Sequence, residues 1–405
     1  MIPENISRQA ARCLGCKNAP CSKNCPLGID IPSFIGLMKE DKLSEAFNEV
    51  FSASIFGEVC SAVCPLDKHC RSSCVRGLKG DPVEIPMLEN YLFERYFNPS
   101  CAQPVPETSG TVAVVGSGVA GISCAVALAQ QGVKVTVFEM QDNLGGITAN
   151  EIPSFRLERK AFSKVIEYAK NLGVSFINNS FLSGEDVRNL TTQFDAVFLA
   201  CGLQKDVEVA VSNLDGVVSA TQYLRGNRPK SVKTVVVGGG NVAMDCARTA
   251  LRNGAEVIVA YRRTEEDMPA FREERLSALR EGVRFMCLLS PFSVNGEGRV
   301  QSATFAEMQV TGVENNRSRI EQTNNLVTID CDCVIMALGS RADSEFFRNA
   351  GISLINGRVE VDDNLMTSID GLFAGGDIIA GENTVAKAVS DGRNAATSII
   401  KYINK

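Results

Sequence analysis

Two rhythms of apolar residues divide the chain. Phe34, Leu37, Met38, Leu43, Ala46, Phe47, Val50 and Phe51 recur at the spacing of one helix face, with Pro32 and Ser33 opening the run, so residues 1 to about 97 are expected to be helical. Over residues 98–110, Pro99, Pro104 and Pro106 mark an interdomain connection. From residue 111 the rhythm changes to short apolar strands alternating with helices. Residues 112–115 read as a buried strand, 122–131 as a helix and 133–139 as a second strand, and the unit recurs over 234–237, 242–252 and 256–261. Two copies of a βαβ unit predict two nucleotide-binding domains with parallel sheets. The tail, residues 371–405, adds a short strand, a Gly-Gly-Asp turn and a helix from about Thr384. The stretch 112–129 is almost wholly apolar, but Gly116, Gly118 and Gly121 interrupt it, so a strand, a turn and a helix start are expected, not a transmembrane span.

The first repeat places Gly116, Gly118 and Gly121 between strand and helix. Glycine there permits a tight turn, close approach of a pyrophosphate and close helix–strand packing, while the helix N-terminus faces the phosphate charge. Glu139, at the end of the second strand, is placed to bond a ribose hydroxyl. The second repeat reads Gly238, Gly240, Asn241, Val242 and Ala243, and its second strand ends in Tyr261-Arg262-Arg263. Arginine at that point accommodates a 2′-phosphate, which favours NADPH over NADH. A solvated arginine pair is the plainer reading. Ala337 and Gly339 complete the candidate nucleotide set.

Composition is ordinary for a globular protein except in one respect. The net charge of -6 and the lack of a long basic run argue against nucleic acid, and the first twelve residues lack a secretory pattern, so a cytoplasmic location is expected. The exception is 15 cysteines, eight of them between Cys13 and Cys74. Disulfides suit a secreted chain, so clustered thiols here point to metal. Cys13, Cys16, Cys21 and Cys25-Pro26 form one run, and Cys60, Cys64-Pro65, Cys70 and Cys74 another. Such runs are similar to ferredoxin ligand runs; zinc is the competing reading. The one histidine, His69, lies among these cysteines and is expected to be a local polar residue, so no His-based hydrolytic constellation is available and no catalytic side chain is assigned.

Together these residues resemble dihydropyrimidine dehydrogenase, in its N-terminal half, and more distantly the small subunit of glutamate synthase. The likeness rests on Arg12-Cys13-Leu14 through Cys25-Pro26, on the segment from Gly145-Gly146 to Arg156-Leu157, and on Phe373 to Gly376-Asp377. It implies an α/β architecture: a helical double [4Fe–4S] domain over residues 1–108, a split FAD domain over 109–229 and 334–405, and an inserted NAD(P)H domain over 230–333. Cys13, Cys16, Cys21 and Cys74 would hold one cluster, and Cys25, Cys64, Cys70 and the oxygen donor Glu89 the other. Cys60 matches a position that is not a ligand. Gly145, Gly146, Arg156, Leu182, Gly376, Asp377 and Thr384 would surround FAD. A further phosphate-supporting arginine of the family falls on Pro269, a departure that leaves NADH open. The FMN-bearing barrel is absent before Lys405, so the resemblance implies an electron-input subunit. It would pass electrons from NADPH or NADH through FAD to an FMN/iron–sulfur catalytic partner, with no nucleic acid and no membrane involved. Pyrimidine reduction is the leading acceptor chemistry, glutamate synthesis the alternative. A stand-alone disulfide reductase would need a thiol pair by the flavin; Cys331 and Cys333, expected on one strand face, are the nearest pair in sequence.

Overall fold

The structure, a computed structural model, describes residues 2–108, 110–207, 214–315, 317–381 and 383–405. It begins with helices α1 (Glu4–Ala11), α2 (Pro20–Lys23), α3 (Ile31–Lys39), α4 (Leu43–Ala53), α5 (Gly57–Val63) and α6 (Ile85–Tyr96). The apolar run of residues 34–51 is therefore two helices. Asp41 takes a left-handed φ of 58°, and the Lys42 amide returns to the Leu37 carbonyl at 2.9 Å, which ends α3 in a tight turn. The stripe continues across the break because both helices face one core: Phe34, Ile35 and Met38 from α3, Ala46, Phe47 and Val50 from α4.

The chain continues through β1 (Thr111–Val115), α7 (Val119–Ala129), β2 (Lys134–Phe138), α8 (Gly146–Asn150), α9 (Arg159–Asn171), β3 (Ser175–Ile177), α10 (Gly184–Gln193) and β4 (Ala196–Leu199). Next come β5 (Lys205–Asp206), β6 (Val217–Ser219), α11 (Ala220–Leu224), β7 (Lys233–Val237), α12 (Asn241–Arg252), β8 (Glu256–Tyr261), α13 (Arg272–Glu281), β9 (Arg284–Cys287), β10 (Leu289–Asn295), β11 (Ser302–Glu314), β12 (Arg317–Asp330) and β13 (Cys333–Met336). The last elements are β14 (Ser340–Arg341), α14 (Ser344–Asn349), β15 (Leu354–Ile355), β16 (Arg358–Val359), β17 (Leu372–Ala374) and α15 (Val385–Ile403).

Two compact units result. The first comprises Met1–Asn150, Ser154–Gln204 and Ala342–Lys405. Its sheet runs β17-β4-β1-β2-β3, all parallel. In β1 and β4 both faces are buried, which explains their unbroken apolar runs. α7 is buried almost all round, so the apolar stretch of residues 112–129 is core. α4 and the residue that ends α6 meet α9 through rings: Phe51 and Phe97 stand 5.6 and 5.7 Å from Tyr168, centroid to centroid.

The second unit comprises Glu151–Pro153 and Lys205–Arg341. Its parallel sheet runs β6-β13-β7-β8-β9. β5 pairs antiparallel with β14 where the chain enters and leaves. A three-stranded antiparallel sheet, β10-β11-β12, completes it. In β11 the half from Ala303 to Ala306 is buried and the half from Gln309 to Glu314 is exposed. The outer halves of β11 and β12 thus form a two-stranded ribbon. Among the described residues, no helix is long and apolar enough to cross a membrane.

Candidate functional site

In the first unit the turn between β1 and α7 gives each glycine its own task. Gly116 has φ +103°, and a Cβ on it would stand 2.5 Å from the Ala200 carbonyl oxygen. A Cβ on Gly121 would stand 2.0 Å from the Gly116 oxygen. Gly118, between them, has nothing within 4 Å of its would-be Cβ and caps α7. The turn is therefore closed at two points and open at one, in front of helix amides with no side-chain cap, which is the form a pyrophosphate needs. Gly145 and Gly146, both at positive φ, bring a second backbone turn to the same place: a Cβ on Gly146 would lie 3.1 Å from Gly118 Cα.

Glu139 is buried at the end of β2, and its carboxylate is held from both sides. One oxygen accepts from the Ser117 amide at 3.0 Å and the Ser117 hydroxyl at 2.5 Å, and the other accepts from the Gln141 amide at 2.9 Å. Ser117, fully buried, also accepts from the Gly145 amide at 2.9 Å. This serine joins the two glycine turns, a role that sequence reasoning missed because it occupies a variable place in the fingerprint. Behind the turn, the Asp391 carboxylate accepts from the Gly376 amide at 3.2 Å and pairs with Lys387; it was also missed, being one acid among several on α15. Arg358 donates to the Asp377 carbonyl. Burial raises the Asp377 carboxyl, opposed by Arg358. Thr384 caps α15, accepting from the Lys387 amide at 3.2 Å. Arg156 is half-buried, and Leu182 packs on the core beside β4 and β17.

The cysteines fall into two groups in this unit. Cys13, Cys16, Cys21 and Cys74 line one cavity together with apolar residues such as Ile31, Ile35 and Val83. Burial raises the Cys21 thiol. The second group, Cys25, Cys64 and Cys70, is half-buried. Burial pushes the Cys25 thiol up to about 11 and Cys70 far above its usual value, and both feel the charge of Glu89 and Cys64. Cys64 is lowered by hydrogen bonds from Cys60, from His69, whose Nδ1 lies 3.6 Å from the sulfur, and from the Ala386 amide at the start of α15. Cys60 is raised by the same bond to Cys64. Glu89 is buried, has no hydrogen bond or ion pair among the described residues, and is pushed up to about 8 by burial and by Cys64.

These surroundings fit iron–sulfur clusters. Buried thiols and an orphaned buried carboxyl need compensating positive charge. Four thiols lining one cavity suit a multi-iron cluster.

In the second unit the β7–α12 turn repeats the pattern with one change. Gly238 has φ +137°, and a Cβ on it would stand 2.2 Å from the Ala337 oxygen. Gly240 caps α12 and has open space before it. The third position is Ala243, fully buried, so here a methyl fits. Asn241 accepts from the Phe271 amide at 2.8 Å, Val242 is exposed, and the Gly339 carbonyl accepts from the Val207 amide at 2.9 Å. The two arginines differ: Arg262 is exposed, whereas Arg263 is half-buried and donates to the Ser318 carbonyl at 3.2 Å.

Cys331 and Cys333 do not share a face, which corrects the expectation from strand alternation. The chain leaves β12 at Asp330 and begins β13 at Cys333, so Cys331 enters the core beside β10–β12 and Cys333 the core beside α12. Burial pushes them up to about 12 and about 11.

Comparison with known proteins agrees with this geometry. Residues 110–392 match the family of pyridine nucleotide-disulphide oxidoreductases, and residues 1–100 match dihydropyrimidine dehydrogenase domain II, a 4Fe-4S cluster domain. The chain is 34% identical to the small chain of NADPH glutamate synthase of Escherichia coli, covering 98% of this chain and 91% of that one. It is 30% identical to subunit PreT of the NAD-dependent dihydropyrimidine dehydrogenase of the same organism, covering 98% and 94%. Among solved structures, FprA of Mycobacterium tuberculosis in complex with NADPH superposes with a TM-score of 0.61 at 16% identity, covering 73% of this chain and 85% of that one. That likeness concerns the fold.

Proposed function

Because the chain belongs to the pyridine nucleotide-disulphide oxidoreductase family and carries a 4Fe-4S domain in front, we propose that it is the electron-input subunit of a larger enzyme. It is an NAD(P)H-dependent flavoprotein oxidoreductase; the partner we assign is the FMN-containing catalytic subunit of a dihydropyrimidine dehydrogenase. FAD, when bound, exchanges the hydride pair of a nicotinamide for single electrons, and 4Fe-4S clusters carry single electrons.

The chain's own groups prepare that chemistry. Gly118 leaves backbone amides open to a pyrophosphate, and Ser117 locks the Glu139 carboxylate at the ribose end. Cys25, Cys64, Cys70 and Glu89 would hold one cluster, and Cys13, Cys16, Cys21 and Cys74 the other. The observation that carries the reading is that α15 packs against α5, the helix that leads into Cys64. α15 is capped by Thr384, and its next turn supplies Asp391, which holds the Gly376 turn. One helix thus touches the element that ends at Cys64 and also holds the turn proposed for the flavin.

Protein purified without oxygen is expected to contain one FAD and about eight irons per chain, and to bleach when given NADPH or NADH. Stoichiometric zinc, or a colourless protein, overturns the reading. Uracil reduction is expected only after an FMN-containing large subunit is added. The 34% identity to a glutamate synthase small chain favours a second reading; turnover of glutamine and 2-oxoglutarate with a synthase subunit would select it.

A further inference from the structure

The exposed ribbon of β11 and β12 ends on the loop that follows β8, and the contact is specific. At Ser318 the amide donates to Asp267 Oδ1 at 3.0 Å, and the carbonyl accepts from Arg263 Nε at 3.2 Å. Among the described residues β12 pairs with β11 alone, so its outer edge would otherwise present bare backbone groups to solvent. Asp267 also gathers its own loop: its second oxygen accepts from the Thr264 amide at 3.3 Å and the Thr264 hydroxyl at 2.8 Å, and its carbonyl accepts from the Tyr261 hydroxyl at 2.9 Å.

The same loop closes on the phosphate-binding turn. The Ala270 amide donates to the Gly239 carbonyl at 3.0 Å, and the Phe271 amide to Asn241 Oδ1 at 2.8 Å. The Tyr261 ring lies so close to Gly239 that a Cβ there would stand 2.7 Å away. Ribbon tip, loop and glycine turn are one connected network within the second unit. Arg262 stands outside it, as do the exposed side chains of Glu265 and Glu266. Arg262 is exposed and no described residue bonds it, whereas Arg263 is tied to the ribbon through its Nε.

We propose that the ribbon is a specificity-positioning element for the nucleotide. By holding Arg263 and Asp267 at Ser318 it fixes the loop so that Arg262 meets the substituent on the adenosine ribose, and a 2′-phosphate is preferred. The proposal rests on reading the end of β8 as the ribose end of the nucleotide site. Its physical content is preorganisation: a guanidinium on a loop already ordered loses less freedom when it pairs with phosphate than one on a free loop.

Adenosine 2′,5′-bisphosphate and adenosine 5′-diphosphate, titrated into the FAD-loaded full chain, separate the 2′-phosphate contribution from the rest. The unaltered protein is expected to bind the 2′,5′-compound about tenfold tighter. Arg262→Ala is expected to abolish the difference. Asp267→Ala and Ser318→Pro are expected to weaken the 2′,5′-compound about fivefold and the 5′-compound less than twofold, at unchanged flavin content. In the Arg262→Ala background, Asp267→Ala is expected to leave the ratio of the two affinities unchanged. Asp267→Asn, which keeps one acceptor for the Ser318 amide, restores most of the loss. Equal weakening of both compounds, or no weakening in Asp267→Ala, overturns the role of the ribbon. Equal affinities in the unaltered protein overturn the phosphate reading of Arg262 itself. Should Ser318→Pro not fold, Asp267→Ala decides.

Discussion

The molecule contains the same glycine turn twice, and the two copies differ at the third position and at the end of the strand that follows. In both, the first glycine sits against a neighbouring carbonyl and the second leaves open space before helix amides. The third position departs: Gly121 lies where a methyl would stand 2.0 Å from backbone oxygen, whereas Ala243 already carries one. The strand ends depart further. Glu139 is buried and bonded on both oxygens, while Arg262 is exposed with no bond from a described residue. On the proposed reading the lesson is a division of labour: the backbone turn would take a pyrophosphate, and the end of the second strand would select what is attached to the ribose.

Breaking the equivalence of the third position should have the largest effect. Gly121→Ala forces a methyl into a backbone oxygen, and a loss of about 3 kcal/mol is expected, together with loss of flavin, read by thermal unfolding and visible absorbance. Reversing the strand-end charge in the second copy comes next. Arg262→Glu places a carboxylate against a 2′-phosphate, and the KM for NADPH with a dye acceptor should rise roughly a hundredfold, about 2.7 kcal/mol, while that for NADH changes little. In the first copy, Glu139→Gln puts an amide group where two acceptors are needed. FAD should bind roughly tenfold more weakly, read as flavin lost on dialysis, with iron content retained.

Smaller effects sharpen the contrast. Ala243→Gly should cost about 1 kcal/mol in helix stability and leave nucleotide affinity unchanged; a large loss of affinity would show that the third positions are not distinct. Although desolvation raises it, hydrogen bonds from Ser318 and Thr264 hold Asp267 at about 2. With a folded value below the unfolded value of about 3.9, its stabilisation is complete above that range and fades as pH falls from about 4 toward 2. The NADPH preference carried by the loop should therefore be flat from pH 7 to 9, apart from titration elsewhere; an Asp267→Asn protein that differed from the unaltered one only in this range would contradict that assignment.

Much of this was readable along the chain because periodicity and turn chemistry are local. Glycine spacing between an apolar strand and an apolar helix located both turns, and the two cysteine runs located the thiols. What escaped depended on contacts distant in sequence. The helical stripe of residues 34–51 hid a break at Asp41, since two successive helices can face one core as a single helix would. Ser117 and Asp391 look like ordinary polar residues until Gly145 and Gly376 arrive beside them.

By itself the sequence determined the two parallel-sheet units, the two glycine turns, and an N-terminal region too rich in thiols to be an ordinary helical domain. Those features follow from side-chain period, glycine stereochemistry and thiol chemistry, which act over a few residues. Only the tertiary structure decided that Glu89 is buried with no partner among the described residues, that Cys331 and Cys333 enter different cores, and which of two adjacent arginines is tied to the ribbon. Each of those depends on which distant groups pack together, and burial and hydrogen-bond satisfaction are set there.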